Sequence, residues 1–241
     1  MSAIAGNLFR VRELVSRAAV RSGRKVDLLV VSKKWGAEVI EEVIECDQFL
    51  FGENRLQEGE EKIPALPEAL EWHFIGGLQR NKVRKVLQLF SVIHSISSLK
   101  LASYANRVAG ELDLCPKVYL EVNIGEEERK HGFTAGDVTA QIEEILAMSN
   151  LSVEGLMCIP PRGDSPEDSR PWFVKVRQLQ EELERQTGRN FPGLSMGMSG
   201  DFEIAIEEGS TIVRVGSAIF DFGCSCTSGS HARYRWFMAS L

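Results

Sequence analysis

The chain has 241 residues, 44% of them hydrophobic and 26% charged, enough apolar material to bury the core of one large α/β domain. Its formal net charge of -6 excludes an overall basic surface of the kind a nucleic-acid backbone demands. No run reaches the roughly 18 apolar residues of a membrane span, and Met1 to Arg10 lacks the apolar stretch of a signal peptide, so a cytoplasmic protein with no nucleic-acid or membrane partner is expected.

In chain order, Asn7 to Ala19 carries Leu8, Val11, Leu14, Val15 and Ala18, an apolar stripe at helical spacing. Asp27 to Ser32 is a continuous apolar run, the pattern of a strand covered on both faces. Ala37 to Cys46 predicts a helix and Gln48 to Gly52 a second strand. Further strands are expected at Trp72 to Ile75, Phe90 to Ile93, Lys117 to Val122, Val153 to Cys158, Gly193 to Ser195 and Thr211 to Val215. Nearly every gap between these runs holds a helical pattern, and strands alternating with helices build a parallel sheet. Eight such units in this length predict an α/β fold, a single (β/α)8 TIM barrel preceded by one extra N-terminal helix. An open doubly wound sheet is the competing architecture, but no Gly-x-Gly-x-x-Gly follows the first strand. The barrel is expected to fill residues 1–223, leaving 224–241 as a tail without a clear period.

The basic cluster Arg80, Lys82, Arg84 and Lys85 is read as a solvated helix face. Five scattered cysteines, Cys46, Cys115, Cys158, Cys224 and Cys226, are not a disulfide framework. Cys224 and Cys226 with His231 supply only three metal ligands, so no metal is expected.

In such a barrel the working residues come from the C-terminal ends of strands and the loops after them. Lys33 follows four apolar residues, a setting that desolvates an ammonium and favours the neutral amine that condenses with an aldehyde. The other reading is a lysine that reaches out to solvent, and adjacent Lys34 competes for the role, since only one of the two can aim at the barrel axis. Gly197-Met-Ser199-Gly200 and Gly216-Ser217 follow the last two strands, the usual phosphate site of the fold, though they are equally read as tight turns. Arg214 lies inside an apolar strand and needs an anion or acceptor, either a ligand at the mouth or a structural ion pair with Asp201 or Glu203. An amine, a phosphate cradle and an inward arginine together fit pyridoxal 5'-phosphate (PLP) better than a sugar phosphate. A cofactor-free lysine aldolase would need acid/base carboxylates nearby, and Glu53 is the one such residue in view.

Several strings then carry a resemblance. They are Val31-Ser-Lys33, Phe51-Gly-Glu-Asn54, Trp72-His-Phe-Ile-Gly76, Ile93-His-Ser-Ile96, Leu194-Ser-Met-Gly-Met-Ser199 and Val213-Arg-Val-Gly216. The chain resembles, over roughly residues 5–222, the pyridoxal phosphate homeostasis (YggS/PROSC) family, which shares the alanine racemase N-terminal barrel. The resemblance implies a PLP-binding protein that holds the cofactor as a Schiff base on Lys33 with little or no turnover. It puts Asn54 near the cofactor ring, Ser199, Gly216 and Ser217 at the phosphate, and Arg214 opposite the pyridine nitrogen. It also implies a monomer whose partners are PLP and PLP-dependent apoenzymes as recipients. The alternative is a PLP-dependent amino-acid racemase, which needs an acid/base on each face of the substrate carbon. Racemases of this barrel take a tyrosine for that purpose from a second domain across a dimer interface. Of Tyr104, Tyr119 and Tyr234, none is expected at the mouth. The chain departs from the family pattern at Lys34-Trp35-Gly36 and at Gly77.

Overall fold

A computed structural model describes residues 2–221. The first half of the chain runs α1 (Ala3–Ser22), β1 (Asp27–Val31), α2 (Ala37–Ile44), β2 (Leu50–Glu53), α3 (Leu56–Lys62), β3 (Glu71–Phe74), α4 (Val83–Leu89), β4 (Val92–Ile96) and α5 (Leu99–Glu111). The second half runs β5 (Lys117–Val122), α6 (Ala135–Leu146), β6 (Ser152–Cys158), α7 (Arg170–Thr187), β7 (Gly193–Ser195), α8 (Phe202–Glu207), β8 (Ile212–Val215) and α9 (Ser217–Phe220). The eight strands close in chain order into a parallel barrel, with Leu29 beside Arg214 and Val30 beside Val215 at the seam between β1 and β8. The expected (β/α)8 barrel with its extra helix is the observed fold.

Alternation along each strand makes two cores. Outward residues such as Val30, Phe51, Trp72, Ile93, Val118 and Val213 pack under the helices. Inward residues form a smaller cluster of Leu29, Val31 and Ile212, with Leu50, Ile75 and Tyr119 against it. That inner cluster is incomplete because His73, His94, Ser195 and Arg214 are buried beside it. Helix α1 starts on a Ser2 side chain that accepts the Ala5 N–H and stops at Gly23, whose φ of 64° suits a residue without Cβ. Its buried stripe, Leu8, Val11, Val15 and Ala18, lies against α8 and α9, and Asn7 donates to the Ile219 carbonyl.

Several strand boundaries differ from expectation, and the starts of β2 and β4 do so by two residues. Gln48 precedes β2, and its side-chain amide donates to the Leu28 and Leu50 carbonyls, tying the chain to β1 before strand pairing begins. Phe90 is spent on the outer core, edge-on to Phe74 at 5.2 Å, so β4 starts later and carries His94 and Ser95. The basic cluster is a surface feature as expected: Arg84 pairs with Glu111, Lys85 with Glu60, and Arg80 lies over Tyr104. The expected tail, including Cys224, Cys226, His231 and Tyr234, lies outside the described residues, as does the barrel's expected end at position 223. Among the described residues no cluster of metal-ligating side chains occurs and no helix is long and apolar enough to cross a membrane.

Candidate functional site

The site lies at the barrel mouth, where the strands end. Lys33 follows β1 in phase with Leu29 and Val31, which face the interior. Lys34 does not continue that phase. Its φ of 70° is left-handed, and the turn is closed by the Trp35 N–H on the Ser32 carbonyl at 3.1 Å. Such a φ costs a non-glycine residue about 1–2 kcal/mol. The Lys34 N–H on Glu58 at 2.7 Å and the stacking of Trp35 on Phe220 at 5.5 Å offset it. Both lysines are exposed, so the apolar run before Lys33 does not bury it as expected.

The turn is braced from behind. Buried Lys62 donates to the Ser32 carbonyl (3.0 Å), Glu53 (2.7 Å) and Glu58 (2.9 Å), while the Ser32 hydroxyl donates to Glu53 at 2.8 Å. Burial raises the Glu53 carboxyl despite the Lys62 hydrogen bond. Glu53 is therefore a structural partner behind the lysine turn and not an acid/base residue aimed at the mouth.

Asn54 follows β2, and its Oδ1 is buried without a hydrogen-bond partner. Gly76 makes room beside it, because a Cβ there would meet the Asn54 carbonyl oxygen at 1.9 Å. Across the mouth, Ser199 Oγ accepts the N–H groups of Gly216 (3.4 Å) and Ala218 (3.2 Å), with exposed Ser217 between them. These residues gather backbone donors at the start of α9. Gly197, with φ 92°, sets the bend after β7 that brings Ser199 there.

Arg214 is 4% exposed, and burial lowers the pKa of its guanidinium from its ordinary value. Neither expected ion pair forms, because Asp201 accepts from Ser169 and the Met198 N–H, and Glu203 faces Arg21. Arg214 donates instead from one terminal nitrogen to Ser195 O and Oγ, both at 2.6 Å, and from the other to the Cys158 carbonyl at 2.9 Å. Three of its five N–H bonds are used, leaving two without a protein acceptor among the described residues.

The sequence reading missed the inner polar groups. His73, His94 and Ser195 sit at inward positions of β3, β4 and β7. Glu121 on β5 is inward too, its carboxyl raised by burial and opposed by His131 and Arg214. The available signal was one polar residue at an inward position of an otherwise apolar run. Tyr119 stacks on His94 at 4.6 Å inside the barrel, its hydroxyl pushed up to about 12 chiefly by burial, and Tyr104 lies outside under Arg80 and Arg107. Neither is at the mouth.

A barrel carrying an exposed lysine after β1 and a buried arginine on β8 has clear relatives. The chain belongs to the alanine racemase N-terminal domain family, which it matches over residues 2–222, and within it to the pyridoxal phosphate homeostasis proteins. It is 44% identical over 217 residues to the pyridoxal phosphate homeostasis protein of Aquifex aeolicus, covering 88% of this chain and 95% of that one. PipY of Synechococcus elongatus, in its structure with PLP bound, superposes with a TM-score of 0.81 at 35% identity, covering 90% of this chain and 99% of that one. An alanine racemase of Clostridium difficile, at 15% identity and a TM-score of 0.70 over 91% of this chain and 59% of that one, shares the fold alone.

Proposed function

We propose that this chain is an intracellular PLP homeostasis protein that holds PLP as a Schiff base on Lys33, with little or no turnover, and works as a cytoplasmic monomer. PLP-dependent apoenzymes are its expected recipients. The observation that carries this reading is a mouth whose loose ends match the cofactor. An accessible amine suits an aldehyde, the Gly216 and Ala218 N–H groups that now meet on the Ser199 hydroxyl beside exposed Ser217 suit a phosphate that replaces it, and Arg214 with Asn54 leaves two donors and one orphan acceptor for a polar ring. When bound, PLP supplies an electrophilic carbon and an electron sink.

The residues favour holding over turnover. A guanidinium at the pyridine nitrogen disfavours its protonation and weakens the sink. Racemisation also needs a second acid/base, and neither described tyrosine reaches the mouth. The test incubates PLP-loaded protein with L-alanine in deuterated water. No appreciable α-deuterium or D-alanine is expected. Rapid incorporation would mean that Glu121 or another group acts as the second acid/base, and would restore the racemase reading.

A further inference from the structure

One chain of hydrogen bonds crosses the whole barrel interior. Glu71, at the start of β3 and half exposed, meets His73 Nε2 at 3.1 Å. His73 Nδ1 meets His94 Nε2 at 2.9 Å, and His94 Nδ1 meets Ser195 Oγ at 2.8 Å. Ser195 Oγ in turn accepts from Arg214 at the other end. Four strands contribute, and the chain runs from solvent at the barrel base to the guanidinium near the mouth.

For neutral imidazoles the two ends fix every proton between them. Arginine can only donate and an ionised carboxylate can only accept. Arg214 therefore makes Ser195 Oγ an acceptor, and the serine hydrogen goes to His94 Nδ1. His94 Nε2–H then donates to His73 Nδ1, and His73 Nε2–H donates to Glu71. In that arrangement each ring carries its single proton on Nε2, and every donor points toward the base. The burial that holds His94 well below 6.5 agrees with a neutral ring.

We infer that Glu71, His73 and His94 are positioning residues for Arg214, forming a one-directional relay that commits Ser195 Oγ as an acceptor to the guanidinium alone and so holds the orientation in which its remaining donors reach the mouth. The inference rests on the PLP reading only for what Arg214 then meets. One proton added to His73 reverses the relay. His73 Nδ1 becomes a donor, His94 must turn its own proton to Nδ1, and Ser195 Oγ accepts from both sides with its hydrogen left over. The groups set around His73 are Glu71 on its own strand and His94 on β4, with Asp27, Lys117, Tyr119 and Glu154 from β1, β5 and β6 around the base. Three carboxylates stand against one ammonium at the base.

The test is a charge reversal at the exposed end of the relay. Glu71→Lys replaces an acceptor-only terminus with a donor-only one, whereas Glu71→Gln keeps an acceptor. Side-chain 15N shifts of the full chain without PLP report the tautomers. Nε2–H is expected for both histidines in the wild type and in Glu71→Gln, and Nδ1–H for both in Glu71→Lys. PLP affinity should fall about fivefold in Glu71→Lys, the weight of the one hydrogen bond by which Ser195 Oγ holds the guanidinium in place, and recover in Glu71→Gln. Tautomers unmoved by Glu71→Lys, or a charged His94 in the wild type, would overturn the relay. Reversed tautomers with unchanged PLP affinity would overturn its positioning role. A wild type that binds no PLP would overturn the proposed function, while the tautomers of the unloaded chain still decide the relay.

Discussion

Lys62 is an ammonium almost out of contact with water, yet it has an acceptor for each hydrogen in Glu53, Glu58 and the Ser32 carbonyl. Glu58 also takes the Lys34 N–H, so the two residues flanking Lys33 are gripped by one buried cluster. Lys34 is committed to a left-handed turn by its backbone. Removing one partner of a buried ion pair leaves the others uncompensated. Lys62→Met should therefore destabilise the fold by roughly 3–5 kcal/mol in chemical denaturation. A variant as stable as the parent would show that the cluster contributes no net stability.

At the scale of elements, β1 and β8 were legible because both faces of each are covered and the runs read as continuous apolar sequence. The starts of β2 and β4 were not, because Gln48 and Phe90 look like strand residues but serve a side-chain tie and the outer core. The β7 loop and α9 were legible as a candidate phosphate site from their small residues. The structure adds that Ser199 Oγ gathers the N–H groups of Gly216 and Ala218. If those donors hold the phosphate, pyridoxal should bind at least about tenfold more weakly than PLP, since each charge-assisted bond contributes roughly 1.5–3 kcal/mol. Isothermal titration of the two aldehydes checks this, and equal affinities would show that the phosphate is not read.

For the whole molecule, the barrel follows from eight alternating units, but the polar interior does not follow from any one of them. His94 meets His73 from 21 positions away and Ser195 from 101, so no local pattern could join them. That interior makes stability depend on pH. Burial, His73 and Arg214 hold His94 well below the 6.5 of an unfolded histidine. Below that value the unfolded chain binds the proton first, so the contribution is present above 6.5 and is lost as pH falls. Between about pH 6 and 5 the wild type should lose about 1 kcal/mol more than His94→Asn, the linkage of one histidine. Parallel stability curves would contradict a buried neutral His94.

The role of Lys33 is tested most directly by trapping the cofactor where it sits. PLP-loaded protein is reduced with borohydride, digested, and the pyridoxyl group located by peptide mapping. The expected result is a single label on Lys33. A label on Lys34 would contradict the reading of the turn after β1, and no label on either lysine would contradict the proposed function.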